Sequence, residues 1–213
     1  MTTSTSLEEL FAAERAVRTL HQNLLSAPQS ELIQSVTTAA HAAFAVEPEE
    51  QSLRLVRISS LLQQVHGPES VDLLLEVLDR ATPEGRFAAG EALEGIAFER
   101  FKEVALAVER ALAKNTVGAT ALSELPYILA PIDEPGVTKL IAKFLAHSDA
   151  EVVSSAIEVL TDIGDPSAIP ALEHYTADVR TVTLDEDGVD ETYTLGDLAT
   201  EAIEILEENS ADD

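Results

Sequence analysis

One helical pattern recurs along the chain and limits the fold more than any other feature. The pattern begins with an apolar residue. A small or polar residue follows two positions after it, Leu four positions after it and an aliphatic residue seven positions after it. Four full copies, spaced 31, 32 and 35 residues apart, begin at Ile58, Ala89, Ala121 and Ala156. A fifth begins 46 residues later at Ala202 and loses its last aliphatic residue. Because the apolar positions share one helix face, each copy predicts an amphipathic helix of a repeat protein.

A second helix is predicted between successive copies, so that the repeating unit is a helix pair. Proline is favoured in the first turn of a helix, where its missing N–H would have no partner. We therefore expect helices to start at Pro68, Pro83, Pro135 and Pro166. Turn residues support these boundaries, with glycine or asparagine at Gly67, Asn115 and Gly164.

The junction Ile163-Gly-Asp-Pro-Ser-Ala-Ile-Pro-Ala-Leu172 resembles the consensus junction of bacterial HEAT-type repeats. The resemblance spans roughly residues 29–208. It implies an all-α fold, a right-handed α-α solenoid of about five HEAT-like helix pairs whose second helices line a concave face. The family often carries Asp followed by Val-Arg in its turns. In this chain Asp149 is followed by Val152-Val153, with valine in place of the arginine. The row of stacked arginines that the resemblance implies is therefore mostly absent.

The whole chain, 1–213, is predicted to be one repeat domain with helix pairs over 28–177, a last helix over 196–208 and an acidic tail over 209–213. A helix over 6–27 is expected to cap the N-terminal end, with Ser6 and Glu9 as a capping box. Its apolar side is predicted to comprise Leu7, Leu10, Phe11, Val17, Leu20 and Leu24. The alternative is a dimerisation helix. Terminal units of solenoids differ from internal ones because one side faces water.

The long spacing before the fifth copy predicts an insertion over 178–195. Alternating Thr and aliphatic residues, the turn pair Asp187-Gly188 and a return segment ending at Leu195 indicate a β-hairpin. Pairing about that turn sets Val182 opposite Tyr193. The insertion resembles the hairpin that some bacterial HEAT-type proteins carry in their final repeat. It either contacts a partner or covers the open end of the core.

Composition and charge limit the function. Only 4% of residues are aromatic, with no Trp and no Cys, which favours helix packing and excludes disulfides and thiolate sites. Residues 1–143 carry 12 basic and 20 acidic side chains, a net of −8, and residues 144–213 carry 1 and 19, a net of −18. Such a field disfavours direct binding to nucleic acid or to a membrane surface and attracts a basic protein. Without a leader or an apolar span, a cytoplasmic location is expected.

The sequence offers little catalytic chemistry. The five histidines lack the spacing of zinc sites, no phosphate loop or nucleophile elbow occurs, and the aromatic base-stacking of a DNA glycosylase is missing. The acidic residues around Asp185 and Asp187 do not have the spacing of a calcium-binding loop. If they are placed in such a loop, its first and last ligand positions, which need carboxylates, are occupied by Thr183 and Thr194. We therefore expect a protein without catalytic activity, metal or cofactor.

Four positions of each copy are predicted to point away from the core. They lie five residues and one residue before the start of the copy, and two and six residues after it, and they become more acidic along the chain. We expect a noncatalytic scaffold or adaptor that presents this acidic surface and the hairpin to a basic protein partner. The alternatives are an immunity or inhibitor protein that neutralises a basic enzyme or mimics nucleic acid, and a bilin-lyase-like cofactor-attachment protein. A solvated charged face is the simplest explanation of the same residues. The predicted partner-binding residues are Tyr127, Glu151, Glu158, Asp162, Tyr193, Glu201 and Glu204.

Overall fold

The chain folds into stacked helices with one two-stranded hairpin before the last helix. The computed structural model describes residues 3–186 and 189–211. The first six helices are α1 (Thr3–Leu25), α2 (Gln29–Ala43), α3 (Pro48–Leu62), α4 (Pro68–Arg80), α5 (Pro83–Lys114) and α6 (Ala119–Leu129). The remaining elements are α7 (Val137–Ile141), α8 (Ala150–Ile163), α9 (Ile169–Leu172), β1 (Thr181–Glu186), β2 (Val189–Thr194) and α10 (Leu195–Ala211). Short 3-10 segments extend α7 and flank α9.

The five helices that carry the recurring pattern lie side by side in chain order. Contacts join α3 to α5, α5 to α6, α6 to α8, and α8 to α10. The first and fifth positions of the pattern are buried in every copy, from Ile58 and Leu62 to Ala202 and Leu206. The positions predicted to point outward are never buried. The structure confirms the all-α solenoid with its hairpin.

Most of the predicted turns are confirmed, and one is wrong. Gly67 has φ +112° before α4, Gly164 has φ +71° after α8, and Asn115 has φ 51° after α5. At Gly164 and Asn115 the left-handed conformation ends a helix, and glycine and asparagine tolerate it. Gly67 instead precedes α4, where glycine accommodates the positive φ. Pro135 does not start a helix, since Gly136 adopts φ +119° and α7 begins at Val137.

Helix α5 joins two repeats that the sequence predicts as separate helices. The backbone leaves helical geometry at Arg100, where φ is −145° and ψ is 48°. The Arg100 guanidinium donates to the carbonyl oxygens of Gln63 at 2.9 Å and Val65 at 3.4 Å, just beyond the C-terminus of α3. The bend therefore comes with a tertiary contact to the preceding repeat rather than with a glycine or proline.

The predicted N-terminal helix is present, but its capping box is wrong. Helix α1 begins at Thr3, so Ser6 lies inside the helix and cannot precede it. Most of the predicted apolar side remains open, with exposed fractions from 44% at Leu24 to 63% at Leu20. Among the residues of α1, only Leu25 packs against the hydrophobic core. The contact lies near the C-terminal end of α1, where His21 hydrogen-bonds Gln64 at 2.9 Å.

The hairpin has the predicted register. Strands β1 and β2 are antiparallel, and Val182 pairs with Tyr193. The turn pair Asp187-Gly188 lies outside the described residues. Helix α10 begins at Leu195 directly after β2 and continues to Ala211, so the predicted tail over 209–213 begins inside a helix. Val182 is buried, which fixes this face of the hairpin against the last two repeats.

Candidate functional site

A groove lies between the last two helices of the pattern, closed on one side by the hairpin. We call it the α8–α10 groove, and its volume is about 220 Å³. Its apolar lining comprises Ile157, Leu184, Leu198, Ala202 and Ile205. Its polar lining comprises Ser154, Glu158, Thr161, Asp162 and Glu201. The groove therefore combines an apolar surface with three carboxylates.

The helical period explains how these side chains meet. Glu158 and Asp162 are one turn apart on α8, where they were predicted to point outward. Ile157 and Thr161 are each one residue earlier and turn toward α10 instead. Leu184 reaches the groove because it lies two residues after the buried Val182, on the same face of β1.

The three carboxylates of the groove are not neutralised by a cation among the described residues. Within residues 3–186 and 189–211, neither Glu158, Asp162 nor Glu201 forms an ion pair. Arg180 is the single Lys or Arg after residue 143, and its guanidinium pairs with Asp178 at 2.6 Å. Their hydrogen bonding lowers the pKa of Asp178. The negative field of the groove is thus left open to an outside cation.

Tyr127 connects the groove to the preceding repeat. Its hydroxyl on α6 donates to Glu158 Oε2 at 2.6 Å, and 44% of the residue remains exposed. Partial burial, followed by the hydrogen bond to Glu158, raises the pKa of Tyr127 to about 12. The tyrosine stays protonated at neutral pH and holds the Glu158 carboxylate at the edge of the groove.

Three other predicted site residues do not line the groove. Glu151 lies in the first turn of α8, two turns before Glu158. Glu204 is exposed on α10, next to the groove residue Ile205. Tyr193 is partly buried in β2, and its hydroxyl donates to Glu191 at 2.7 Å.

Sequence reasoning missed the apolar lining of the groove and Ser154. The helical period predicts the outward side of one helix, whereas a groove forms from the flanks of two neighbouring helices. Ile157 and Ile205 follow from the 3.6-residue period once α8 and α10 are known to be neighbours. For Leu184 the sequence gives a weaker indication, which is that it alternates with Val182 on the same face of β1.

A larger cavity of about 410 Å³ lies beside α4 and α5, but its charges balance. Three acidic and three basic side chains line it, among them the pair Arg110–Asp72 at 2.8 Å. The described residues contain no group of three or more His, Asp or Glu side chains able to hold a metal ion. Nor does any helix in that part of the chain have the length and apolarity needed to cross a membrane.

The stacked helix pairs define a helical-repeat protein. No protein-family model matches the chain, and a search of curated proteins gives no significant match. The crystal structure of an engineered protein is similar, at 20% identity and TM-score 0.36, over 92% of this chain and 90% of that one. A structure of computationally designed armadillo repeat proteins for modular peptide recognition is similar at 17% identity and TM-score 0.36, over 95% of each chain. Values this low indicate no function for the chain.

Proposed function

We propose that this chain is a noncatalytic HEAT-type scaffold that binds a basic segment of a protein partner in the α8–α10 groove. One observation carries the proposal: Glu158, Asp162 and Glu201 surround an apolar surface and have no ion pair within the described residues. Charge complementarity of this kind guides encounter and selects partners. The apolar lining adds contact area for the aliphatic part of a basic side chain.

The regional charge supports the same site. Residues 144–213 hold 19 of the 39 acidic side chains and 1 of the 13 basic ones. A basic partner is therefore attracted to the last two repeats and the hairpin more than to the first repeats. In this proposal Tyr127 is an aromatic contact beside the groove, whereas Glu151, Glu204 and Tyr193 contribute at its periphery.

Charge reversal in the groove tests the proposal. The probe is a fluorescent lysine-rich peptide, and its affinity is measured by anisotropy at low salt. We expect Glu158→Lys to weaken binding by at least about tenfold, which corresponds to about 1.4 kcal/mol. Glu91→Lys is the matched control, because Glu91 occupies the same pattern position in α5 and is also exposed.

The two variants carry the same change in net charge, so a difference between their affinities for the peptide depends on where the peptide binds. Equal weakening by Glu158→Lys and Glu91→Lys would show that the peptide responds only to overall charge and would contradict the groove. Binding that does not weaken as salt is raised would contradict the electrostatic basis of the proposal.

A further inference from the structure

Ser154 is a largely buried serine whose hydroxyl oxygen stays accessible from the groove. It lies on α8, is 5% exposed and lines the α8–α10 groove. Ser155 and Thr161 on the same helix donate to carbonyl oxygens one turn earlier, at 2.9 and 2.8 Å. Ser154 forms no hydrogen bond with any residue in 3–186 or 189–211. A hydroxyl that is accessible from the groove and has no partner within the described residues can hydrogen-bond a group of a bound ligand.

The size and lining of the groove limit that ligand to one long side chain. Its volume of about 220 Å³ is below the range of roughly 300–1,000 Å³ typical of small-molecule sites. Acceptors lie on both walls, with Glu158, Asp162 and Ser154 on α8 and Glu201 on α10. The surface between them is apolar, formed in part by Leu198 and Ile205.

We infer that the α8–α10 groove binds an arginine side chain of the partner, with the aliphatic stem on Leu198 and Ile205 and the guanidinium among the carboxylates and Ser154. This inference rests on the proposed function, since it names the residue of the basic segment that the groove recognises. A guanidinium carries five N–H donors in a planar fork and can serve acceptors on two walls. It is also less strongly hydrated than the ammonium of lysine, so contact with an apolar surface costs it less.

Peptides that differ only in the basic residue test this choice without any change in the protein. Three glycine-serine peptides carry the same number of arginines, lysines or citrullines, and calorimetry gives each Kd. Citrulline keeps the shape of arginine and removes the charge. We expect the arginine peptide to bind at least about tenfold more tightly than the lysine peptide, and the citrulline peptide to show no measurable binding.

Two variants then locate the preference. Ser154→Ala removes the unpaired hydroxyl and is expected to weaken arginine binding several-fold while leaving lysine binding unchanged. Ile205→Trp fills the mouth of the groove at a residue that is 38% exposed, and is expected to abolish the preference. Thr200→Ala is the control, because that hydroxyl on α10 donates to the Gly196 carbonyl and lies outside the groove. Circular dichroism verifies that each variant is folded.

The outcomes separate this inference from the proposed function. Equal affinity for arginine and lysine peptides, with Glu158→Lys still weakening both, would overturn the arginine site and leave the basic-segment scaffold standing. An arginine preference that survives both Ser154→Ala and Ile205→Trp would place recognition elsewhere and also overturn the inference. Failure of both charged peptides to bind would overturn the proposed function and the arginine site with it.

Discussion

Tyr127 on α6 donates a hydrogen bond of 2.6 Å to Glu158 on α8, and this bond joins two neighbouring repeats at the edge of the groove. The donor requires a protonated tyrosine, and the acceptor is one of the carboxylates expected to meet a partner. The Glu158 side chain therefore both links two repeats and belongs to the proposed binding site. Substitution at Glu158 is expected to change both the titration of Tyr127 and the affinity of the groove.

The first prediction concerns the ionisation of Tyr127. Burial and the Glu158 hydrogen bond raise its pKa from 10.0 to about 12. The folded state thus favours the protonated form, so this stabilisation is complete below about pH 10 and is lost as pH rises toward about 12. Subtracting the tyrosinate absorbance titration of Tyr127→Phe from that of the unmodified chain isolates this residue. Glu158→Gln should lower the midpoint; a midpoint near 10 in the unmodified chain would contradict the partial burial of Tyr127 and its hydrogen bond to Glu158.

The second prediction separates two carboxylates on α10. Glu201 lines the groove, whereas Glu204 is exposed outside it. We expect Glu201→Lys to weaken binding of a lysine-rich peptide by about tenfold and Glu204→Lys by about threefold or less. Anisotropy titrations of the two variants at one salt concentration provide the measurement. A larger loss from Glu204→Lys would shift the site to the outer face of α10.

The third prediction concerns two glycines with opposite surroundings. A Cβ at Gly196, where α10 restarts after the hairpin, would lie 2.7 Å from the Thr176 carbonyl oxygen. Gly196→Ala should lower the free energy of unfolding by about 1–3 kcal/mol. A Cβ at Gly90 inside α5 would lie 3.5 Å from Ile128, so Gly90→Ala should raise it by up to about 1 kcal/mol. Denaturant unfolding measures both, and a Gly196→Ala variant as stable as the unmodified chain would refute the packing described at Gly196.

The fourth prediction concerns the bend in α5. Arg100 is largely buried and donates to carbonyl groups after α3, so Arg100→Met should cost about 2 kcal/mol of stability. Arg110→Met is the control, because the pair between Arg110 and Asp72 is partly exposed and contributes less than about 1 kcal/mol. Thermal and denaturant unfolding compare the variants. Equal costs would mean that Arg100 is not what stabilises the bend.

Much of the fold could be predicted because it depends on local rules. The 3.6-residue period identified the buried faces of the repeat helices, and the alternation of β1 with its turn pair identified the register of Val182 and Tyr193. Each of these features is determined within a single helix or a single hairpin. The bend at Arg100 could not be predicted, because its side chain reaches carbonyl groups more than 30 residues earlier in the chain.

The candidate site was predicted in part for the same reason. Glu158, Asp162 and Glu201 were expected on an outward face and do line the groove, although their role in binding stays a prediction. Ser154 was not expected, since a serine beside a buried valine in a helix looks like any core-facing small residue. Its significance depends on the absence of a hydrogen bond to the described residues, and this depends on contacts between elements that are distant in the sequence. The exposed side of α1 is likewise not predicted, because the sequence does not show which helix, if any, packs against that side.

The most direct test of the account maps a bound basic peptide onto the chain by NMR. Amide chemical shifts are followed during titration with an arginine-rich peptide. The account predicts that the largest changes fall on both walls of the α8–α10 groove, at Ser154, Glu158 and Asp162 on α8 and at Leu198 and Glu201 on α10. Largest changes on α1 to α4, or changes spread evenly over exposed acidic residues, would contradict a specific groove at the C-terminal end of the solenoid.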